Sequence, residues 1–143
     1  MNIDNLEKWH FEVTEKACNE LLNLVLIGKK KATSSSFLAY KLSNEELPKI
    51  GDLSVITDWD SNPACVIKTT NIIILPFKDI TFDLAKKEGE DTNLESWRKN
   101  HITFFKNEGK ELGYVFNKDM KVVFEEFEVI EIFNTNKKMK KLW

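Results

Sequence analysis

The 143-residue sequence predicts an α+β domain in which a small β-barrel carries helices packed at its edges. Three observations point there. Two segments rich in β-branched residues, "LSVIT" and "ACVIKTTNIIIL", lie close together with turn chemistry between them, as antiparallel neighbours do. Helical periodicity is confined to a few stretches. No regular strand–helix–strand alternation links the two kinds of element, so a doubly wound parallel sheet is not expected.

Residues 14–27 read as an amphipathic helix, because Val13, Ala17, Leu21, Leu24 and Val25 recur at spacings of three and four. Thr14 is a suitable N-cap, and Gly28 suits the left-handed position that ends many helices. "LSVIT" is a strand with Leu53, Val55 and Thr57 on one face, and "DWDSNP" turns the chain back. The following strand is too long to stay flat, so a bend or bulge is expected near Thr69 to Asn71, with Pro76 as its end. Two short helices follow. Asp79 is the expected cap and Gly89 the expected stop of the first, while Thr92 and Glu95 form a T-x-x-E capping box for the second. Leu94, Trp97, His101 and Phe104 then share a helical face. "KVVFEEFEVIEIF" is a last strand with neither face cleanly apolar, which predicts a bulge where the inward face changes.

Composition narrows the class. A chain this long is expected to form one domain and to bury roughly two-thirds of its unfolded surface. With 42% hydrophobic and 31% charged residues it reads as an ordinary globular protein. No apolar run approaches the roughly 20 residues that span a bilayer, and "MNIDNLEKWH" has no basic-then-apolar leader pattern, so no membrane association and a cytoplasmic location are expected. Cys18 and Cys65 lie in apolar surroundings without a CxxC, as buried free thiols do. Two histidines and two cysteines without close spacing give no zinc pattern, so neither a metal nor another cofactor is expected. The net charge of −2 argues against a broad phosphate-tracking surface.

Local charge is another matter. In "LVLIGKKKATSSSF" an apolar run stops at Gly28, and Lys29, Lys30 and Lys31 stand beside Thr33 and three serines. The lysines follow the negative end of a helix dipole, which alone favours them by up to about 1 kcal/mol each. The stretch is either a solvated helix end running into a polar loop or the floor of a site. The basic end "NKKMKKLW" has the same two readings: a frayed solubilising tail over 134–143, or an attractor for a phosphate-bearing ligand.

The order of "WHF" (Trp9, His10, Phe11), "GKKKAT", a "GD" about 18 residues later, "PF", "AKKEG" and "WRKNHITFF" resembles the ASCH-domain family, whose fold is similar to the PUA-type β-barrel of RNA-binding proteins. The pattern looks closest to the longer bacterial members. It covers the core at roughly 9–133, so the resemblance implies a single ASCH domain over 1–143. It also implies a nucleoside, nucleotide or RNA ligand. Some small members remove the acetyl group from N4-acetylcytidine with a lysine, a threonine and a glutamate. Carried onto K-x-x-T and A-x-x-E, these are Lys30, Thr33 and Glu88, the last following Ala85. Another bacterial member is a ribonuclease, and others are linked to RNA without catalysis. The sequence departs from the commoner T-x-R continuation: Ser35 stands where relatives carry arginine.

The chemistry can be read from the residues as well. Amide cleavage needs a nucleophile, a proton acceptor and a positive group near the developing oxyanion. Thr33 offers the hydroxyl and Lys30 the positive group, or a base if burial or its neighbours Lys29 and Lys31 lower its pKa. Glu88 is placed to orient the lysine or shuttle a proton. The plainer alternative is a salt bridge tying a helix end to the barrel. Trp59, Trp97, Arg98, His101 and Ser35 complete the set of candidate ligand contacts. Trp59 offers a stacking surface and Arg98 a phosphate clamp. Core packing for the aromatics and a surface ion pair for the arginine are their alternatives.

Overall fold

The computed structural model describes residues 2–12 and 14–133, so Val13 of the helical stripe and the basic tail at 134–143 lie outside the described residues. Among the described residues five strands form one mixed sheet in the order β1-β3-β4-β5-β2. They are β1 (Glu7–Trp9), β2 (Ala32–Ser36), β3 (Leu53–Thr57), β4 (Pro63–Pro76) and β5 (Lys121–Ile132). β1 runs parallel to β3, and the other neighbours are antiparallel. The sheet curls into a half-barrel, so that edge strands β1 and β2 line opposite walls of one cavity. Among the described residues four α-helices decorate it: α1 (Glu15–Leu26), α2 (Phe37–Leu42), α3 (Phe82–Ala85) and α4 (Leu94–Leu112). This is the expected α+β fold, a curled half-barrel with helices at its edges.

Local chemistry explains most boundaries. The Thr14 hydroxyl accepts the Ala17 N–H at 3.2 Å at the start of α1, and Gly28, at φ +81°, leaves the helix left-handed. The turn between β3 and β4 is held by Asp58, whose Oδ1 accepts the N–H groups of Asp60 and Asn62. β4 is continuous over fourteen residues but shifts register between Thr69 and Asn71. A second shift sets Ile67 against Val129 and Val66 against Glu131, leaving Ile130 as the extra residue on β5. The expected bend and the expected bulge are these two features.

Three boundaries differ from expectation. Asp79 lies inside a 3₁₀ turn (Phe77–Asp79), and Thr81 precedes α3 instead. Asn93 rather than Thr92 caps α4, its Oδ1 accepting the Ser96 N–H at 2.8 Å. The second of the two "short" helices runs nineteen residues, to Leu112, because Gly109 packs against Tyr114 without breaking the ladder and Gly113 is the first left-handed residue. Among the described residues no helix is long and apolar enough to cross a membrane.

Two apolar clusters form the core. Phe11, Leu22, Val25, Ile56, Cys65, Ile67 and Phe127 pack beneath α1. Phe77, Ile80, Ala85, Trp97, Phe105, Met120 and Val122 pack beneath α3 and α4. Cys18 and Cys65 are free and buried, and burial pushes the Cys65 thiol up to about 12, which removes it from nucleophilic chemistry. The seam between the clusters holds the polar residues described next.

Candidate functional site

The chain from Gly28 to Ala32 passes directly against the 3₁₀ turn Lys86–Glu88. The Lys31 N–H donates to the Lys87 carbonyl at 2.8 Å, and the Phe127 N–H donates to the Lys31 carbonyl at 3.0 Å. Gly89, at φ +74°, lies so close that a Cβ there would sit 2.4 Å from the Lys29 carbonyl oxygen. These contacts lock two segments almost sixty residues apart and turn Lys30 and Glu88 inward.

Lys30 has 1% of its side chain exposed and Glu88 has 2%. The Lys30 ammonium donates to the Ala32 carbonyl at 2.8 Å, to Glu90 Oε2 at 2.5 Å and to Glu88 Oε1 at 3.4 Å, and it lies 5.5 Å from the centre of the Phe11 ring. Its three N–H groups are therefore all engaged. Glu88 is held on every side. The Ser34 hydroxyl and the Trp97 indole N–H donate to Oε2 at 2.7 and 2.8 Å, while His101 Nε2 approaches Oε1 at 3.3 Å.

The protonation pattern follows from these partners. Burial is the largest influence on Glu88 and opposes its charge. The Lys30 charge, the His101 hydrogen bond and charge, and the Ser34 hydroxyl together outweigh it and hold the carboxyl well below its usual range. His101 Nδ1 faces the Trp97 carbonyl at 2.9 Å and Nε2 faces an ionised carboxylate. Both are acceptors only, a setting that favours the doubly protonated ring. Burial works against that charge, but Glu88 prevails and raises the histidine pKa. Lys30, His101, Glu88 and Glu90 thus form a compact group with charges of both signs paired.

A cavity of about 760 Å³ opens on this group; Trp9, Phe11, Lys30, Ser34, Glu90 and His101 are among its walls. A second cavity, of about 500 Å³, lies inside the half-barrel against Tyr40, Thr69 and Glu125. Trp9, Thr33 and Ser35 line both, so the two adjoin along β2. Burial raises the pKa of Glu125 despite the 2.6 Å hydrogen bond that it accepts from Thr69.

The sequence candidates separate on this geometry. Lys30 and Glu88 meet, and Trp97 and His101 both touch Glu88. Thr33 alternates with Ser34 along β2 and therefore points to the opposite face; no hydrogen bond joins it to Lys30 or Glu88 among the described residues. Ser35 shares the Thr33 face and lines the half-barrel cavity together with Tyr40, whose hydroxyl burial pushes up. Lys29, Lys31 and Arg98 are exposed. Trp59 is half-buried with its ring 5.1 Å from that of the exposed His10, and it lines neither cavity. Sequence reasoning missed Ser34 and Glu90. The only available signals were a hydroxyl at every position of "TSSS" and a second glutamate across Gly89 from the first.

A family model for the ASCH domain matches residues 7–131. The chain belongs to the ASCH domain family. The crystal structure of an Enterococcus faecalis protein is similar to it with a TM-score of 0.86 and 34% identity, over 92% of this chain and 80% of that one. An ASCH domain from Lactobacillus crispatus is similar with a TM-score of 0.82 and 34% identity, over 88% of this chain and 80% of that one. No curated protein matches the chain. The ASCH half-barrel therefore supplies the frame, and the paired group around Lys30 is set in the wall of its cleft.

Proposed function

We propose that this ASCH protein binds an acylated nucleoside in the cleft along β2 and hydrolyses the amide on its base, N4-acetylcytidine being the substrate to test. The observation that carries the reading is the buried Lys30–Glu88 pair at the wall of a cavity also lined by Thr33. A buried, fully hydrogen-bonded ion pair is weak support for stability in its own right, since an apolar pair of the same volume often serves as well. Its location in a cleft fits electrostatic work on a ligand. Lys30 places positive charge where an acyl oxygen turns negative, Glu88 fixes the lysine, and Thr33, which lines the same cavity from the other face of β2, supplies the attacking hydroxyl. Attack leaves the acyl group on Thr33 as an ester and passes the hydroxyl proton to the departing exocyclic amine; water then cleaves the ester, which releases a carboxylic acid and restores Thr33. The cavity walls favour a neutral nucleoside over a polyphosphate, because Glu12, Glu20, Glu90, Glu108 and Glu111 all line the same space as Lys30.

The test is release of acetate from N4-acetylcytidine by the purified protein. Thr33→Ala is the informative variant, since Thr33 stands outside the buried network: its activity is expected to fall at least a hundredfold with the urea midpoint unchanged. Ser34→Ala is expected to lower the midpoint, because it strips a hydroxyl from a buried carboxylate. No turnover by the wild-type protein on any acetylated nucleoside removes the hydrolase reading.

A second reading, RNA binding without catalysis, has one observation in its favour. The Lys31–Lys87 backbone contact brings the Lys29–Lys31 and Lys86–Lys87 segments together as a basic ridge on which Lys29, Lys31 and Lys86 are exposed, Lys86 pairing with Asp83 and Lys87 with Glu126. Binding through this ridge is local, so affinity for single-stranded RNA is expected to fall only shallowly with salt.

A further inference from the structure

Lys30 cannot meet a ligand in the conformation described, because each of its three N–H groups already has an acceptor. One acceptor has to leave. The Ala32 carbonyl belongs to the first residue of β2 and is fixed by the sheet. Glu88 is 2% exposed and gripped by Ser34, Trp97 and His101 besides Lys30. Glu90 is different. Its side chain is 23% exposed, it sits in the loop between Gly89 and α4, and Lys30 is its only side-chain hydrogen-bond partner among the described residues. It lines the same cavity as the lysine.

We propose that the Glu90 carboxylate is a displaceable occupant of a ligand seat on Lys30, and that the seat takes a carbonyl or carboxylate oxygen. This rests on the reading of Lys30 as a ligand-facing group and names what it faces. The backbone does not have to move: Gly89 is pinned against the Lys29 carbonyl, so a swing of the Glu90 side chain towards the open cavity vacates the seat. The charges support the exchange. Glu90 is held by Lys30 alone among the described side chains, whereas Glu88 is held by Lys30, Ser34, Trp97 and His101; burial, which raises the Glu90 pKa, also disfavours its buried charge. An incoming acyl oxygen, or the carboxylate that an amide releases, satisfies the same N–H with the same geometry.

Acetate is the probe, titrated into wild type, Glu90→Ala and Glu90→Gln at pH 7, with the Trp97 indole N–H resonance as readout because that hydrogen faces the neighbouring carboxylate. Glu90→Ala empties the seat and is expected to bind acetate at least tenfold more tightly than wild type. Glu90→Gln refills it with an amide of equal size and is expected to show no such gain. Equal acetate affinity in wild type and Glu90→Ala overturns the proposal, and so does an equal gain in both variants. Acetate binding is read without turnover. An inactive protein that still shows the Glu90→Ala gain sinks the hydrolase reading alone, whereas an active one without the gain sinks this inference alone.

Discussion

The indole N–H of Trp97 lies 2.8 Å from Oε2 of Glu88, nine residues earlier in the chain, and the Trp97 carbonyl holds the ring of His101 against the other oxygen of the same carboxylate. One residue of α4 therefore fixes Glu88 twice, once directly and once through the next helical turn. Its ring also stacks on Phe77 at 5.4 Å and on His101 at 4.1 Å. Trp97→Phe keeps the apolar stacking and removes the donor. Because the acceptor is charged and buried, the expected loss is about 1.5–3 kcal/mol, measured by urea unfolding at pH 7.

Gly89 and Gly28 offer a controlled comparison. Both have positive φ, +74° and +81°, but an added Cβ at Gly28 meets nothing within 4 Å, while at Gly89 it lies 2.4 Å from backbone oxygen. Gly28→Ala is expected to cost only the left-handed conformation, about 1 kcal/mol. Gly89→Ala is expected to cost distinctly more, since backbone must shift, and to loosen the Lys30 group with it. Urea midpoints of the two variants check the difference; equal values would show that the contact between the Lys29 loop and the Glu88 turn has slack.

The pH dependence of stability has a definite sign for His101. Its pKa in the folded protein is raised above the ordinary 6.5, so its contribution is complete below pH 6.5 and is lost as pH rises through the folded value. Glu88 acts oppositely at the acid end: its folded pKa is depressed, so its contribution is present above about pH 4.5 and is lost as pH falls towards about 2. Glu90, raised by burial, runs against Glu88 over the region above pH 4.5. The charged groups around the imidazole are Glu88, Glu90 and the Lys30 ammonium, which shares Oε1 of Glu88 with it. The stability advantage of wild type over His101→Gln is therefore expected to be largest near pH 5.5–6.5 and to shrink towards pH 9. An advantage that stays flat over that range would place the ring in its neutral form throughout.

How far the site was legible depends on the kind of signal. Lys30 and Glu88 stand 58 residues apart, and their pairing was suggested by a likeness of motifs rather than by any local pattern. Trp97 and His101 were placed on one helical face by periodicity, which says that they neighbour each other but not that a carboxylate comes to them. Ser34 rather than Thr33 reaches Glu88 because of strand alternation, and nothing in "ATSSS" fixes which hydroxyls point inward. That segment carries little β propensity; it becomes strand because β5 offers it an antiparallel partner from Val122 to Glu126. The three-residue β1 and the six-residue α2 escaped notice for a similar reason, being too short for periodicity to register.

The amino-acid order by itself determined what depends on near neighbours: the capped start and glycine end of α1, the β3–β4 hairpin with its aspartate-rich turn, the bulged long strand, and the apolar faces that build two clusters. Only the tertiary structure decided which polar groups meet. Closing the half-barrel presses the loop after α1 against the turn before α4, and the backbone contacts there leave the side chains of Lys30, Glu88 and Glu90 no outlet except each other and the cleft. Local propensity acts over a few residues, whereas desolvating a charge demands a partner from wherever in the chain the fold can deliver one.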